Sequence, residues 1–134
     1  VIQYEVDLRR FGLKRGELPG SDGIPGGALA TDFSSWSWDA VERLFTSCTL
    51  GTADRFLVAD DRRGSEYLQS ELHVDAVDME SYAMVAAARK AFVPVAILRT
   101  VSDTNRGGRP RSYQTFLAQA SQWMFQGIMA LMDR

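Results

Sequence analysis

The run Val93-Pro94-Val95-Ala96-Ile97-Leu98-Arg99-Thr100-Val101 constrains the fold most. Its β-branched side chains are stiff at χ1 and favour extended backbone. A run this apolar reads as a strand covered on both faces, the kind found inside a parallel sheet. Parallel neighbours need crossover connections, usually helices packed on the sheet faces. One such strand therefore predicts an alternating α/β chain with a largely parallel central sheet.

The rest of the sequence supplies that alternation. Val1 to Val6 reads as a strand, and Gly12 to Gly27, rich in glycine with Pro19 and Pro25, as a long loop. Asp32 to Ser35 offers helix caps, followed at helical spacing by Trp38, Val41, Leu44 and Phe45. Thr49 to Val58 predicts a strand interrupted at Gly51, and Ser65 to Leu72 a short amphipathic helix. Val74 to Val77 predicts a strand, and Glu80 to Phe92 an alanine-rich helix. Thr104 to Arg111 is a Gly/Arg/Pro loop. Tyr113 to Met132 predicts the clearest helix, with Phe116, Leu117, Ala120, Met124, Ile128, Leu131 and Met132 near a 3.6 period.

Composition removes several function classes. The 134 residues are 46% hydrophobic, too apolar for a disordered chain and enough for one domain. No apolar run approaches the roughly 18 residues of a membrane span. Fifteen basic against 17 acidic residues give a net charge of -2, so nothing global draws the chain to nucleic acid or anionic lipid. One cysteine, Cys48, excludes an internal disulfide, and one histidine, His73, argues against a protein zinc site. A reducing, cytoplasmic setting fits. Ser34, Ser35 and Ser47 lack a plausible histidine partner, so a Ser-His-Asp triad is not supported. Trp36, Trp38 and Trp123 read as packing residues. The chain starts at Val1, and its first residues read like the middle of a strand, so the amino-terminal part of a longer domain is expected to be missing.

In parallel α/β sheets ligands bind at the carboxyl ends of the strands. Two strand ends carry polar residues. At one, Asp103 follows the apolar run. A carboxylate there can be partly desolvated, which suits a general acid; it can equally cap the loop with Ser102 and Thr104, and spacing alone favours the cap. At the other, Asp78 and Glu80 flank Met79 where a strand enters a helix. Acids in a first helical turn are favoured by the helix dipole; the alternative is a carboxylate turned into a cleft, where it accepts hydrogen bonds from hydroxyls such as those of a ribose. Phe56, after the bend at Gly51 to Asp54, suits stacking on a base, with the Leu57 backbone at its edge, or a place in the core. Arg106, Arg109 and Arg111 suit a phosphate or a solvated loop.

Together these segments resemble the purine nucleoside phosphorylase and nucleosidase superfamily. Gly-Thr-Ala-Asp-Arg-Phe-Leu (51–57), Ala-Val-Asp-Met-Glu-Ser-Tyr-Ala (76–83) and Val-Pro-Val-Ala-Ile-Leu-Arg-Thr-Val-Ser-Asp (93–103) follow the family order of a G-D-x-F-like turn, V-E-M-E-x-x-A and V-P-x-x-x-x-R-x-x-S-D. Asp7 to Gly12 and Gly16 to Gly20 are similar to the D-x-x-x-F-G and G-Q-L-P-G stretches of the methylthioadenosine/adenosylhomocysteine nucleosidases. Tyr113 to Leu117 is similar to their F-x-x-F-L segment. The first acid of V-E-M-E is Asp78 here, a shorter side chain.

The resemblance implies a three-layer α/β/α fold with a central mixed sheet, of which residues 1–134 form the carboxyl-terminal portion. It implies hydrolysis of the N-glycosidic bond of 5'-methylthioadenosine or S-adenosylhomocysteine without a cofactor. The alternatives are phosphorolysis of purine nucleosides and a non-catalytic nucleoside-binding remnant. Asp103 would protonate the purine at N7 as the bond breaks. Glu80 would hold the ribose hydroxyls over Met79, Phe56 would stack on the base, Leu57 would read its edge, and Tyr113 would line the 5' pocket. Leu8, Phe11 and Pro19 match positions that reach into a neighbouring subunit's pocket, which implies a homodimer. The glutamate that activates water belongs to the family's amino-terminal half, which is not matched here.

Overall fold

The computed structural model describes residues 1–16, 31, 42–55, 57, 65–104 and 112–132. Phe56, Pro19, Trp36, Trp38, Arg106, Arg109 and Arg111 lie outside the described residues. The chain divides into two compact units, Val1–Asp32 with Cys48–Val95 and Phe33–Ser47 with Ala96–Arg134.

Among the described residues the first unit is built on three parallel strands in the order β1 (Ile2–Gln3), β2 (Leu50–Thr52), β3 (Ala76–Asp78). Ile2 pairs with Gly51 and Gln3 with Thr52; Leu50, Gly51 and Thr52 pair with Ala76, Val77 and Asp78. Two further bonds extend the ladder at its carboxyl end, Tyr4 N–H to the Thr52 carbonyl and Ala53 N–H to the Asp78 carbonyl, both 3.1 Å. β2 is flanked on both edges, and all three of its residues are buried. Its Gly51 does not interrupt the strand, contrary to the sequence expectation. It lies mid-strand because Tyr4 and Val74 close over it: a Cβ there would lie 2.9 Å from Val74 Cγ1 and 3.0 Å from Tyr4 Cδ1.

Tyr4, Ala53, Leu68 and Val74 form the core of this unit, with Leu57, Tyr67 and Leu72 packed around them. Leu68 comes from the single-turn helix α1 (Tyr67–Ser70), shorter than the pattern over 65–72 predicts. The Tyr67 hydroxyl donates to the Tyr4 carbonyl at 3.3 Å, and the Arg15 guanidinium lies 3.9 Å from the Tyr67 ring centroid. A half-buried aromatic thus keeps its polar end satisfied.

β3 leads into α2 (Ser81–Lys90), which buries Ser81 and Val85. The helix ends in paired bonds, Phe92 N–H to the Arg89 carbonyl at 3.0 Å and Val93 N–H to the Ala88 carbonyl at 2.9 Å. This is the Schellman closure, whose left-handed position favours glycine or asparagine. Phe92 occupies it at φ 56°, with its side chain 95% exposed.

The apolar run over 93–101 departs from expectation. It joins no ladder among the described residues, and Val93 is 57% and Val101 61% exposed. β-branched residues favour extended backbone on their own, whereas a buried strand also needs flanking strands to accept its hydrogen bonds.

In the second unit the long helix α3 runs over Tyr113–Met132, the span the sequence predicts. Ser112 caps it: its Oγ accepts the Thr115 N–H at 3.3 Å, and its carbonyl accepts the Phe116 N–H at 3.1 Å. Ala120, Gly127 and Leu131 are buried, with Phe116 and Met124 half-buried along the same line. A Cβ on Gly127 would lie 2.6 Å from Phe45 Cζ, so the bare helix surface seats that ring. Leu117, Ile128 and Met132 are exposed, and so is Trp123, which does not pack as the sequence reading had it. They flank or oppose the buried line. Among the described residues no helix is long and apolar enough to cross a membrane.

Candidate functional site

The carboxyl ends of β2 and β3 meet the amino end of α2, and a compact hydrogen-bond cluster joins them. Thr52, the last residue of β2, is 2% exposed. Its hydroxyl donates to Asp78 Oδ1 at 2.7 Å and accepts the Tyr82 N–H at 3.1 Å. Asp78 Oδ1 also accepts the Ser81 N–H at 3.2 Å, and Asp78 Oδ2 accepts the Ser81 hydroxyl. The first two N–H groups of α2, which have no intrahelical acceptor, are satisfied by Asp78 and Thr52. The Asp78 charge also lies at the positive end of the helix dipole. Burial pushes the neighbouring Tyr82 phenol above its usual pKa, so it stays protonated.

This division of work separates the two acids that the sequence left ambiguous. Asp78 takes the helix-capping role. Glu80 stands at the cap position of α2 with φ -124° and ψ -28°, and its side chain makes no capping hydrogen bond. Met79 and Glu80 are exposed at the turn, at the carboxyl ends of parallel strands. Leu57 is half-buried against the core of the same unit.

Asp103 and Tyr113 belong to the second unit. Asp103 is half-buried, and the Ser102 hydroxyl donates to its Oδ1 at 2.9 Å. It follows a segment that joins no ladder among the described residues. Tyr113 opens α3, exposed, with its ring stacked on Phe116 at 6.3 Å between centroids.

Leu8 precedes and Phe11 ends a 3-10 turn over Arg9–Phe11. Leu8 is half-buried, whereas Phe11 is exposed with the Arg10 guanidinium 4.7 Å from its ring centroid. The turn is fixed by Asp7, which accepts Arg9 Nε at 2.9 Å, Arg9 Nη2 at 2.7 Å and Arg15 Nη2 at 3.3 Å. Those bonds, first of all from the Arg9 side chain, hold the Asp7 carboxyl well below the usual carboxylate range.

Sequence reasoning passed over Thr52 and Ser81. The signal for Ser81 was present, since Asp78-Met79-Glu80-Ser81 has the three-residue spacing of a side-chain cap. Nothing local could reveal Thr52, whose partner lies 26 residues away.

Comparison with known proteins places this arrangement among its relatives. Over 141 residues the chain is 25% identical to an aminodeoxyfutalosine nucleosidase of Helicobacter pylori (strain ATCC 700392 / 26695), covering 99% of this chain and 57% of that protein. It is 24% identical over 136 residues to a 5'-methylthioadenosine/S-adenosylhomocysteine nucleosidase of Haemophilus influenzae (strain 86-028NP), covering 98% of this chain and 57% of that protein. The chain therefore spans little more than half the length of these relatives. Among solved structures, a futalosine hydrolase mutant of Helicobacter pylori strain 26695 matches with a TM-score of 0.75 at 24% identity, covering 98% of this chain and 56% of that one. The structure described as Helicobacter pylori MTAN matches with a TM-score of 0.73 at 22% identity, covering 98% and 56%. The fold is thus the nucleoside phosphorylase/nucleosidase α/β fold. The phosphorylase superfamily pattern matches residues 42–130, more than half of the chain and all of the cluster just described, and the chain belongs to that superfamily.

Proposed function

We propose that the protein hydrolyses the N-glycosidic bond of an adenosine-type nucleoside, with 5'-methylthioadenosine or S-adenosylhomocysteine as substrate. The observation that carries this reading is the β3–α2 turn. There Asp78 answers the helix end, and the Glu80 side chain is exposed beside it. A carboxylate exposed at the carboxyl ends of parallel strands suits a pair of ribose hydroxyls, with Met79 beneath the sugar. Support also comes from the curated relatives above, which are nucleosidases by name.

In this reading Asp103 is the general acid. As the bond between the sugar carbon and the base nitrogen breaks, its electron pair passes to the base. Asp103 donates a proton to N7, so the base leaves neutral from an oxocarbenium-like state. Ser102 orients the carboxyl through its bond to Oδ1. Phe56 stacks on the base, Leu57 reads its edge through the backbone, and Tyr113 lines the pocket for the 5' substituent. Leu8, Phe11 and Pro19 close the pocket of a neighbouring subunit in a homodimer. The resemblance places the water-activating glutamate in the family's amino-terminal half, so residues 1–134 alone are expected to release no adenine.

The aminodeoxyfutalosine nucleosidase relative favours a second substrate reading, aminodeoxyfutalosine itself. The test is incubation of the intact protein with methylthioadenosine, adenosylhomocysteine and aminodeoxyfutalosine, each with and without phosphate. Adenine release without phosphate is expected, and the preferred nucleoside identifies the 5' substituent. Strict dependence on phosphate would replace hydrolysis by phosphorolysis. Nucleoside binding with no release under either condition would leave a binding remnant.

A further inference from the structure

The geometry points to Asp78 as a positioning residue for nucleoside recognition. Its carboxylate, clasped by Thr52 and Ser81, fixes the Met79–Glu80 segment in the direction that presents Glu80 to the sugar. This rests on the reading of Glu80 as the ribose ligand and adds the residues that aim it.

The argument begins with the connections Asp78 makes. It is the last residue of β3, and its carbonyl accepts the Ala53 N–H at 3.1 Å, so its backbone is pinned to β2. Its side chain turns toward α2 rather than outward, and both oxygens carry hydrogen bonds from that side. Two residues, Met79 and Glu80, bridge this anchor and Ser81, which is fully buried. Both ends of the turn are therefore held, one by the sheet and one by the cap. The Thr52 hydroxyl locks the arrangement, because it donates to Asp78 and accepts from Tyr82. A carboxylate committed in this way is poorly placed to bind ligand and well placed to keep its neighbour in register. A misplacement of about an ångström costs about a hundredfold in rate at a reacting centre, and a carboxylate that must meet two hydroxyls at hydrogen-bond distance depends on its placement in the same way.

The test measures binding to the intact protein by calorimetry. The probes are formycin A, a C-nucleoside analogue of adenosine with no cleavable bond, its 2',3'-dideoxy form and free adenine. Thr52→Val keeps the side-chain shape but removes both hydrogen bonds, and Thr52→Ser restores the hydroxyl. Asp78→Ala removes the anchor, and Glu80→Gln reports on the ribose ligand itself.

Thr52→Val and Asp78→Ala are expected to weaken formycin A by about tenfold or more. The dideoxy form and adenine should bind as before, Thr52→Ser should recover the parent affinity, and Asp78→Ala should add little to Glu80→Gln. If Glu80→Gln shows the hydroxyl-dependent loss while Thr52→Val leaves formycin A unchanged, or weakens all three probes alike, the positioning role is overturned and the ribose reading stands. If Glu80→Gln itself shows no hydroxyl-dependent loss, the ribose reading fails and takes the positioning role with it. The Thr52 pair decides the matter even if Asp78→Ala does not fold.

Discussion

Asp103 and Phe92 flank the apolar run over 93–101 in sequence and make different demands on their neighbours. Asp103→Asn keeps the shape of the carboxyl and the capacity to accept from Ser102, but loses the proton a leaving base requires. Turnover of methylthioadenosine by the intact protein is expected to fall on the order of 10²-fold or more, with the denaturation midpoint little changed. Near-parent turnover would remove Asp103 from the general-acid role. Phe92 is a question of backbone alone. A bulky residue at φ 56° sits in a conformation that costs about 1–2 kcal/mol for any side chain bearing a Cβ. Its exposed ring has little packing to lose. Phe92→Gly should therefore raise stability by about 1 kcal/mol, read as a higher urea midpoint at unchanged m-value. A lower midpoint would mean that the ring contributes packing in the intact protein.

Among the elements, α3 and the run over 93–101 differ in how far local sequence could take the reading. The span Tyr113–Met132 was legible because a helix satisfies itself: the Ser112 cap, the 3.6-residue period and the hydrogen bonds all lie within a few residues of each other. The run over 93–101 has as strong a pattern, yet strand status depends on neighbours that periodicity does not encode. Gly51 was misread for the same reason, since the side chains that need its bare backbone, Tyr4 and Val74, come from distant segments. The acidic turn was legible as a place but not as a division of roles. Asp78 and Glu80 were both plausible caps until Thr52 appeared beside one of them. Gly51→Ala tests the close approach directly. The added methyl meets Val74 and Tyr4 inside normal contact distance in a strand flanked on both sides. Overpacking of this kind should cost about 1–3 kcal/mol in equilibrium unfolding. A neutral or stabilising result would show that Tyr4 and Val74 can retreat at no cost.

At the scale of the whole molecule, the three strands among the described residues follow chain order, but the segments between them are unequal. Thr52 and Asp78, paired across β2 and β3, are 26 residues apart, whereas the contact from Glu5 beside β1 to Asp54 beyond β2 spans 49. Loop closure grows slowly with length, so the longer closure costs only about 0.6 kcal/mol more. Ordering still favours the β2–β3 pair, because its cluster of Thr52, Asp78, Ser81 and Tyr82 forms along with the shorter loop, whereas β1 contributes only two residues to the sheet. The sheet is thus expected to assemble from its carboxyl-terminal side, with the first strand joining last. Two amides report the sequence of events. The Ala53 N–H bonds to the Asp78 carbonyl across the β2–β3 side, and the Tyr4 N–H bonds to the Thr52 carbonyl across the β1–β2 side. In pulse-labelled hydrogen exchange during refolding, Ala53 should gain protection before Tyr4, and the reverse order would mean that β1 nucleates the sheet. The same ordering gives the clasp around Asp78 a temporal meaning: the turn that aims Glu80 is set while the amino-terminal edge of the sheet is still open to solvent.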